Sequence, residues 1–411
     1  MDSRFHGNDT PSVIPLKKGI HFGTGQMDSR FRGNDRRNGN DRRNGNDRKH
    51  GNDRRYGNDR KHGNDRRCGN EKERTTMIIT RTPFRVSFFG GGTDYPAWYA
   101  ENGGAVISAA IDKYCYITCR YLAPFFGYRH RIVYSRSDEV KEIAEIEHPS
   151  ARECLAFVPP ARGVEVHHDG DLPARAGLGT SSAFTVGLLN ALHAMTGCEA
   201  TKERLMMDAI HVEQDRIGEC VGSQDQAAAA FGGFNRISFA GRHEINVQPL
   251  TISPARAQRF REHLMLFFTG FSRTASEIAT EQVKAIPGRK PELREMRAMV
   301  DTALGILDGG DDDFNGFGRL LNDSWNLKRS LTSNVSTPAI DAIHARALGA
   351  GAIGGKLLGA GGGGFMLFFA EPEAQPRVRR ALKELMHVPF GFDNGGSRVV
   401  YSALEDEERS A

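Results

Sequence analysis

Residues 173–183, Pro-Ala-Arg-Ala-Gly-Leu-Gly-Thr-Ser-Ser-Ala, constrain this chain more than any other segment. The run 164–168 before them reads as an extended strand, and the Ala- and Leu-rich run 183–195 after them as a helix. Glycines let backbone N–H groups approach an anion closely, and a helix beginning there aims its positive end at the same point. Thr180, Ser181 and Ser182 add hydroxyls suited to phosphate oxygens or a magnesium ion. The same residues also suit a tight turn closed by a hydroxyl cap, so the segment alone leaves both readings open.

The chain around this loop opens with strands. Residues 78–89 are β-branched and aromatic, Gly90-Gly91-Gly92 interrupts them, and 105–122 reads as a pair of extended runs. Helices are expected over 203–217 and 292–307, and strands over 263–269 and 365–369. No regular strand-helix-strand period emerges, which favours an α+β fold over a doubly wound sheet. A chain of 411 residues exceeds one average core, and we expect a body of two domains, 77–260 and 261–411.

Residues 1–76 stand apart. A six-residue unit begins at Gly33 as Gly-Asn-Asp-Arg-Arg-Asn and recurs from Gly39, Gly45, Gly51, Gly57 and Gly63. With almost nothing apolar to bury, such a stretch is expected to be disordered. It carries 19 Lys or Arg against 11 Asp or Glu, which leaves 36 against 40 for the rest, so the basic balance belongs to the tail. Its regular acidic residues dilute the field that nucleic acid would require. Met77, just before the first strand, reads as the natural initiator, and the repeat as a translated DNA repeat upstream of it. No run reaches the roughly 18 apolar residues of a membrane span, and the six cysteines form no Cys-x-x-Cys pair. A cytoplasmic protein without membrane or nucleic-acid partners is expected.

The loop resembles the second motif of the GHMP kinases, the family of galactokinase, homoserine kinase, mevalonate kinase and phosphomevalonate kinase. Their usual form reads Pro-x-x-x-Gly-Leu-Gly-Ser-Ser-Ala, with Thr180 standing here for the first serine. Pro83-Phe84-Arg85-Val86-Ser87-Phe88-Phe89-Gly90-Gly91-Gly92-Thr93-Asp94-Tyr95 resembles the family's first motif, and Gly355-Lys356-Leu357-Leu358-Gly359-Ala360-Gly361-Gly362-Gly363-Gly364-Phe365 its third. The resemblance implies an N-terminal ATP-binding domain like domain 2 of ribosomal protein S5, a ferredoxin-like C-terminal domain, and a small-molecule kinase using ATP and Mg2+. It further implies phosphate binding by Gly177, Leu178, Gly179, Thr180, Ser181 and Ser182.

Glu213 is singled out by periodicity as well. Met206, Ala209, Ile210 and Ile217 form one apolar stripe, and Glu213 lies on it. A carboxylate buried there requires a partner, either a cation or an arginine. A salt-bridged glutamate at the stripe's edge fits equally. The resemblance implies magnesium, held by Glu213 and Ser182. Asp225 reads by itself as a helix cap. By resemblance it is the base for the acceptor hydroxyl, with Arg85 stabilising the negative charge of the transferring group. Asp94, Thr93 and Gly92 would then bind the sugar, and Gly361 and Gly362 support the loop and the substrate phosphates.

Where galactokinases carry Glu-His, this chain has Gly91-Gly92, and Gly-Gly-Gly-Thr-Asp is similar to the heptose-phosphate and fucose kinase branch. That branch implies a sugar phosphate acceptor, D-glycero-D-manno-heptose 7-phosphate, phosphorylated at C1 on the way to a nucleotide-activated heptose; fucose and galactose are the alternatives. Lys328, Arg329 and Lys356 are candidates for an acceptor phosphate, although a solvated helix end accounts for the first two equally. A rival class also exists. Gly359-x-Gly361-x-x-Gly364 satisfies the pattern of an NAD-binding oxidoreductase, but it runs into an apolar strand where that fingerprint must open a helix.

Overall fold

Strand β1 (Thr75–Phe89) buries Phe84, Val86 and Phe88, and pairs antiparallel with β2 (Gly104–Tyr121). This computed structural model describes residues 75–241, 244–270, 275–310 and 313–404; the repeat tail and its expected disorder lie outside the described residues. The pair of runs expected over 105–122 is one strand. Its first eight residues are buried throughout, whereas the later ones alternate, and that change of pattern reads as two elements. Irregularities of register near Pro83 and Ser87 let the long ribbon bend without ending.

Around this pair lie β3 (His130–Val133), β4 (Ser137–Val140), β5 (Val164–Gly170), β6 (Phe234–Ala240) and β7 (Glu244–Pro249). A second sheet contains β8 (Leu264–Phe268), β9 (Gly354–Leu357), β10 (Phe365–Phe369) and β11 (Met386–His387). The final strand, β12 (Arg398–Leu404), returns to the first sheet beside β1. The orders are β12-β1-β2-β5-β3-β4, with β6 on β2 and β7 on β6, and β11-β8-β10-β9. Among the described strand pairs only β3 and β5 run parallel, as an α+β rather than a doubly wound fold requires.

The helix Thr180–Met195 packs on β1 and β2 along an almost wholly buried length. Gly187 permits this closeness, because a Cβ there would stand 2.9 Å from Thr82 Oγ1. Aromatic rings join the two sheets. Phe317, on the helix Asn315–Leu331, meets Phe89 of β1 at 4.9 Å and Phe369 of β10 at 6.0 Å between centroids. The helix expected over 203–217 changes winding: Lys202–Ile210 is α-helical, and His211–Arg216 is a wider π-turn. Such turns insert a residue into a helix and re-aim its side chains, here Glu213.

Candidate active site

Gly177 and Gly179 adopt positive φ (81° and 73°), and Gly179 immediately precedes the helix Thr180–Met195. At Gly177 the constraint is also spatial, since a Cβ would lie 2.5 Å from the Leu358 carbonyl oxygen. A Cβ at Gly359 would stand 2.4 Å from Gly177 Cα, and one at Gly364 2.3 Å from the Ala176 carbonyl oxygen. The two glycine segments therefore touch backbone to backbone, 182 positions apart at Gly177 and Gly359. The Thr180 hydroxyl accepts a 3.1 Å hydrogen bond from the Arg175 amide, and Ser181 is exposed at the helix entry.

Arg85 reaches this loop from β1. Nε and Nη2 each donate at 2.8 Å to the Asp225 carboxylate, and Nη1 donates at 2.8 Å to the Gly177 carbonyl. Its own amide donates to the Leu178 carbonyl at 3.0 Å. Asp225 lies in the first turn of the helix Gln224–Phe231, and a Cβ on Gly179 would be 3.5 Å from its Oδ2. The carboxylate thus sits against the loop, in a place where a simple helix cap would not need an arginine.

Asp94 is almost wholly buried. Gly92 N and Gln224 Nε2 each donate to its carboxylate at 2.8 Å, and Ser87 Oγ donates to Gln224 Oε1 at 2.8 Å. Burial, and then the charge of Asp225, push its pKa up. Gly222 lies so close that a Cβ would fall 1.9 Å from Asp94 Oδ2. Neither Gln224 nor Ser87 stood out in the sequence; Gln224 directly precedes Asp225, which is the only signal that could have found it. Gly91 has no heavy atom within 3.8 Å of the place a Cβ would take, so the cavity is open there.

Glu213 is fully buried and accepts hydrogen bonds from Ser182 Oγ at 2.9 Å and from Gln226 Nε2. No arginine or lysine pairs with Glu213 among the described residues; the π-turn points the carboxylate at the start of the helix, where its side-chain donors are neutral. Burial pushes its pKa up to about 7. Its Oε1 has no hydrogen-bond partner. A buried carboxylate oxygen without a donor, next to a serine hydroxyl, is a fitting donor set for a hard divalent cation. No cluster of three or more His, Cys, Asp or Glu side chains among the described residues could hold a metal alone, but an ion also bound by nucleotide phosphates needs fewer protein ligands.

Arg85, Asp94, Gly177, Gly179, Ser182 and Asp225 border a cavity of about 230 Å3 together with Gly92, Lys328 and Lys356, and Glu213 lies behind Ser182, outside its lining. A larger cleft of about 620 Å3, bordered by Lys202, Phe234, Arg261 and Phe392, holds none of the residues singled out by sequence. Several expected site residues face elsewhere. Leu178 is buried in the core, Thr93 closes the turn by donating to the Gly90 carbonyl at 2.8 Å, and Arg329 pairs with Asp341 at 3.1 Å. Gly362 N donates to the Val335 carbonyl at 3.0 Å, and Gly361 packs on Val335, so neither lines the cavity. The segment 359–364 leads into β10, an antiparallel strand between β8 and β9, which removes the context a dinucleotide fingerprint requires. Among the described residues no helix is long and apolar enough to cross a membrane.

Two family models match the chain: the GHMP kinases N terminal domain over residues 140–233 and the GHMP kinases C terminal domain over 290–388. A D-glycero-alpha-D-manno-heptose 7-phosphate kinase of Campylobacter jejuni is 29% identical over 326 residues, 75% of this chain and 93% of that protein. An L-fucokinase/L-fucose-1-P guanylyltransferase of Bacteroides fragilis is 28% identical over 370 residues, but this chain matches only 37% of its length. Among solved structures, a D-glycero-D-manno-heptose 1-phosphate kinase from Bacteroides thetaiotaomicron superposes with a TM-score of 0.64 at 24% identity, over 79% of this chain and 99% of that one. Lactococcus lactis galactokinase with galactose does so at 0.61 and 16% identity, over 78% and 95%. At these identities the structural likeness speaks for the fold.

Proposed function

The chain belongs to the GHMP kinase family, and on that premise we propose that it transfers the γ-phosphoryl group of ATP to the C1 hydroxyl of D-glycero-D-manno-heptose 7-phosphate. The product would feed a nucleotide-activated heptose. One observation carries the reading: the Asp225 carboxylate, chelated by Arg85, lies against Gly179 at the entry to the phosphate loop and its helix. A base for the acceptor hydroxyl and a cradle for the donor phosphates then meet at one point.

In this reading the amides of Gly177, Gly179, Thr180 and Ser181 and the following helix hold the nucleotide phosphates. Asp94, kept in place by Gln224 and Gly92, accepts hydrogen bonds from sugar hydroxyls. Asp225 takes the proton of the attacking hydroxyl as its oxygen bonds to the γ-phosphorus, and the bond from that phosphorus to the ADP oxygen breaks. Arg85 faces the charge that spreads over the transferring group. Ser182 and Glu213 would hold Mg2+, whose chemistry here is neutralisation of phosphate charge. Most of the acceleration comes from positioning.

The acceptor rests on the heptose kinase relative and on the open volume at Gly91. The test is to incubate the purified protein with magnesium-ATP and D-glycero-D-manno-heptose 7-phosphate, L-fucose or galactose, and to locate the new phosphate by NMR. Phosphorylation of the heptose phosphate at C1 is expected. Turnover of fucose or galactose with none of the heptose phosphate would sink the assignment.

A further inference from the structure

Three basic side chains, Arg85, Lys328 and Lys356, border the inner wall of the cavity. The carboxylates there are Asp225, already chelated by Arg85, and Asp94, held by Gln224 and Gly92. Neither lysine makes an ion pair with a carboxylate among the described residues, although both are buried, Lys328 to 7% exposure and Lys356 to 3%. Lys356 Nζ donates to the Phe88 carbonyl at 2.7 Å, and Lys328 Nζ donates to the Gly359 carbonyl, with the Leu357 carbonyl at 3.5 Å. Carbonyl dipoles offset only part of the cost of burying an ammonium, so the wall suits an anionic guest.

The anchors of these cations say which anion. Arg85 is tied to the carbonyl of Gly177 and Lys328 to that of Gly359, and these two glycines touch. Both cations therefore converge on the contact between the loops, and Arg85 holds Asp225 beside it. Lys356 is tied to Phe88, close to the Gly90 to Gly92 turn, and is already matched to its carbonyl. An ammonium has three hydrogens, and the Gly359 carbonyl takes one of those of Lys328.

Resting on the kinase reading, we infer that Lys328 is a catalytic residue, the second cation on the phosphoryl group in transit, acting opposite Arg85. It would donate to a non-bridging oxygen of that group as charge builds there, while the proton of the acceptor goes to Asp225. The acceptor's own phosphate is the other source of a suitable anion. Burial, and then Arg85, hold the pKa of Lys328 down to about 8, while Asp94 acts in the opposite sense. Asp225 and Lys356, with Arg175 and Glu219 at the cavity rim, complete the charged groups around it.

The experiment compares wild type, Lys328→Met and Lys328→Arg, with magnesium-ATP and either D-glycero-D-manno-heptose 7-phosphate or the same heptose without its phosphate. Expected for Lys328→Met is a fall in kcat of about a hundredfold or more with both acceptors. The KM values and the ATP dissociation constant by calorimetry should stay within about threefold. Wild-type kcat should decline above about pH 8, a limb that Lys328→Arg, which does not titrate there, should lack. A raised KM confined to the phosphorylated acceptor, with kcat intact, assigns Lys328 to the acceptor phosphate and overturns the inference. So does a kcat within about threefold of wild type. If melting curves show Lys328→Met unfolded, the two pH profiles decide, and identical profiles overturn the inference. A wild type that phosphorylates no sugar overturns the kinase reading and this inference with it; an active wild type with an unaffected variant sinks this inference alone.

Discussion

Arg85 chelates the carboxylate of Asp225 through Nε and Nη2 and passes Nη1 to the carbonyl of Gly177, so one guanidinium joins β1, the glycine loop 177–182 and the helix Gln224–Phe231. Asp225→Asn keeps the shape and one acceptor oxygen but cannot take a proton. Turnover should fall by about 100- to 10,000-fold, while ATP binding measured by calorimetry persists. Retention of more than about a tenth of the activity would remove Asp225 from the role of base.

Glu213 lends itself to a separate test. Glu213→Gln retains an oxygen for Ser182 and Gln226 but removes the charge. The magnesium concentration for half-maximal activity should rise by about tenfold or more, with the unfolding midpoint unchanged or higher, because a buried carboxylate is replaced by a neutral amide. An unchanged magnesium requirement would argue that Glu213 is only a structural partner of Ser182.

The contact between loops predicts a stability effect that separates backbone strain from crowding. Gly359 and Gly197 have nearly equal φ, 73° and 72°, but a Cβ at Gly197 has nothing within 4 Å. Gly197→Ala should cost about 1 kcal/mol in urea unfolding. Gly359→Ala meets the Gly177 backbone as well and should cost about 2–4 kcal/mol and weaken ATP binding. Equal costs would show that the loops yield easily.

Acid should loosen the helix Pro149–Phe157. His148 Nδ1 accepts from the Ala151 amide, a role only the unprotonated nitrogen can fill, and the ring stacks on Phe184. Burial, and then His168, depress its pKa to about 4. The unfolded chain takes up this proton first, near its ordinary value of about 6.5. Its contribution to stability is therefore intact above that pH and is lost as pH falls toward 4. His148→Asn, which caps without titrating, should flatten the melting temperature between pH 6.5 and 4 relative to wild type; parallel curves would count against this account.

Much of the site was legible because it is local. Residues 177–182 carry glycines and hydroxyls in one stretch, and the strand over 365–369 stood out by its unbroken apolar run. What pairs across the fold was less visible. The burial of Glu213 could be read from Met206, Ala209 and Ile210, but not the π-turn that gives it neutral partners. Gly361 and Gly362 looked like phosphate ligands because glycine is ambiguous between an anion cradle and close packing, and here they pack against Val335. Gln224 is typical of any polar surface until Asp94, 130 residues earlier, is brought to it.

The return of β12 to β1 has a consequence for biosynthesis. Thr80 of the first strand is in register with Val399 of β12, so the outer edge of β1 stays without its neighbour until residues 398–404 have left the ribosome. A nascent chain stopped before 398 would expose that edge to other chains, and the emergence of Arg398–Leu404 becomes the event that closes the sheet.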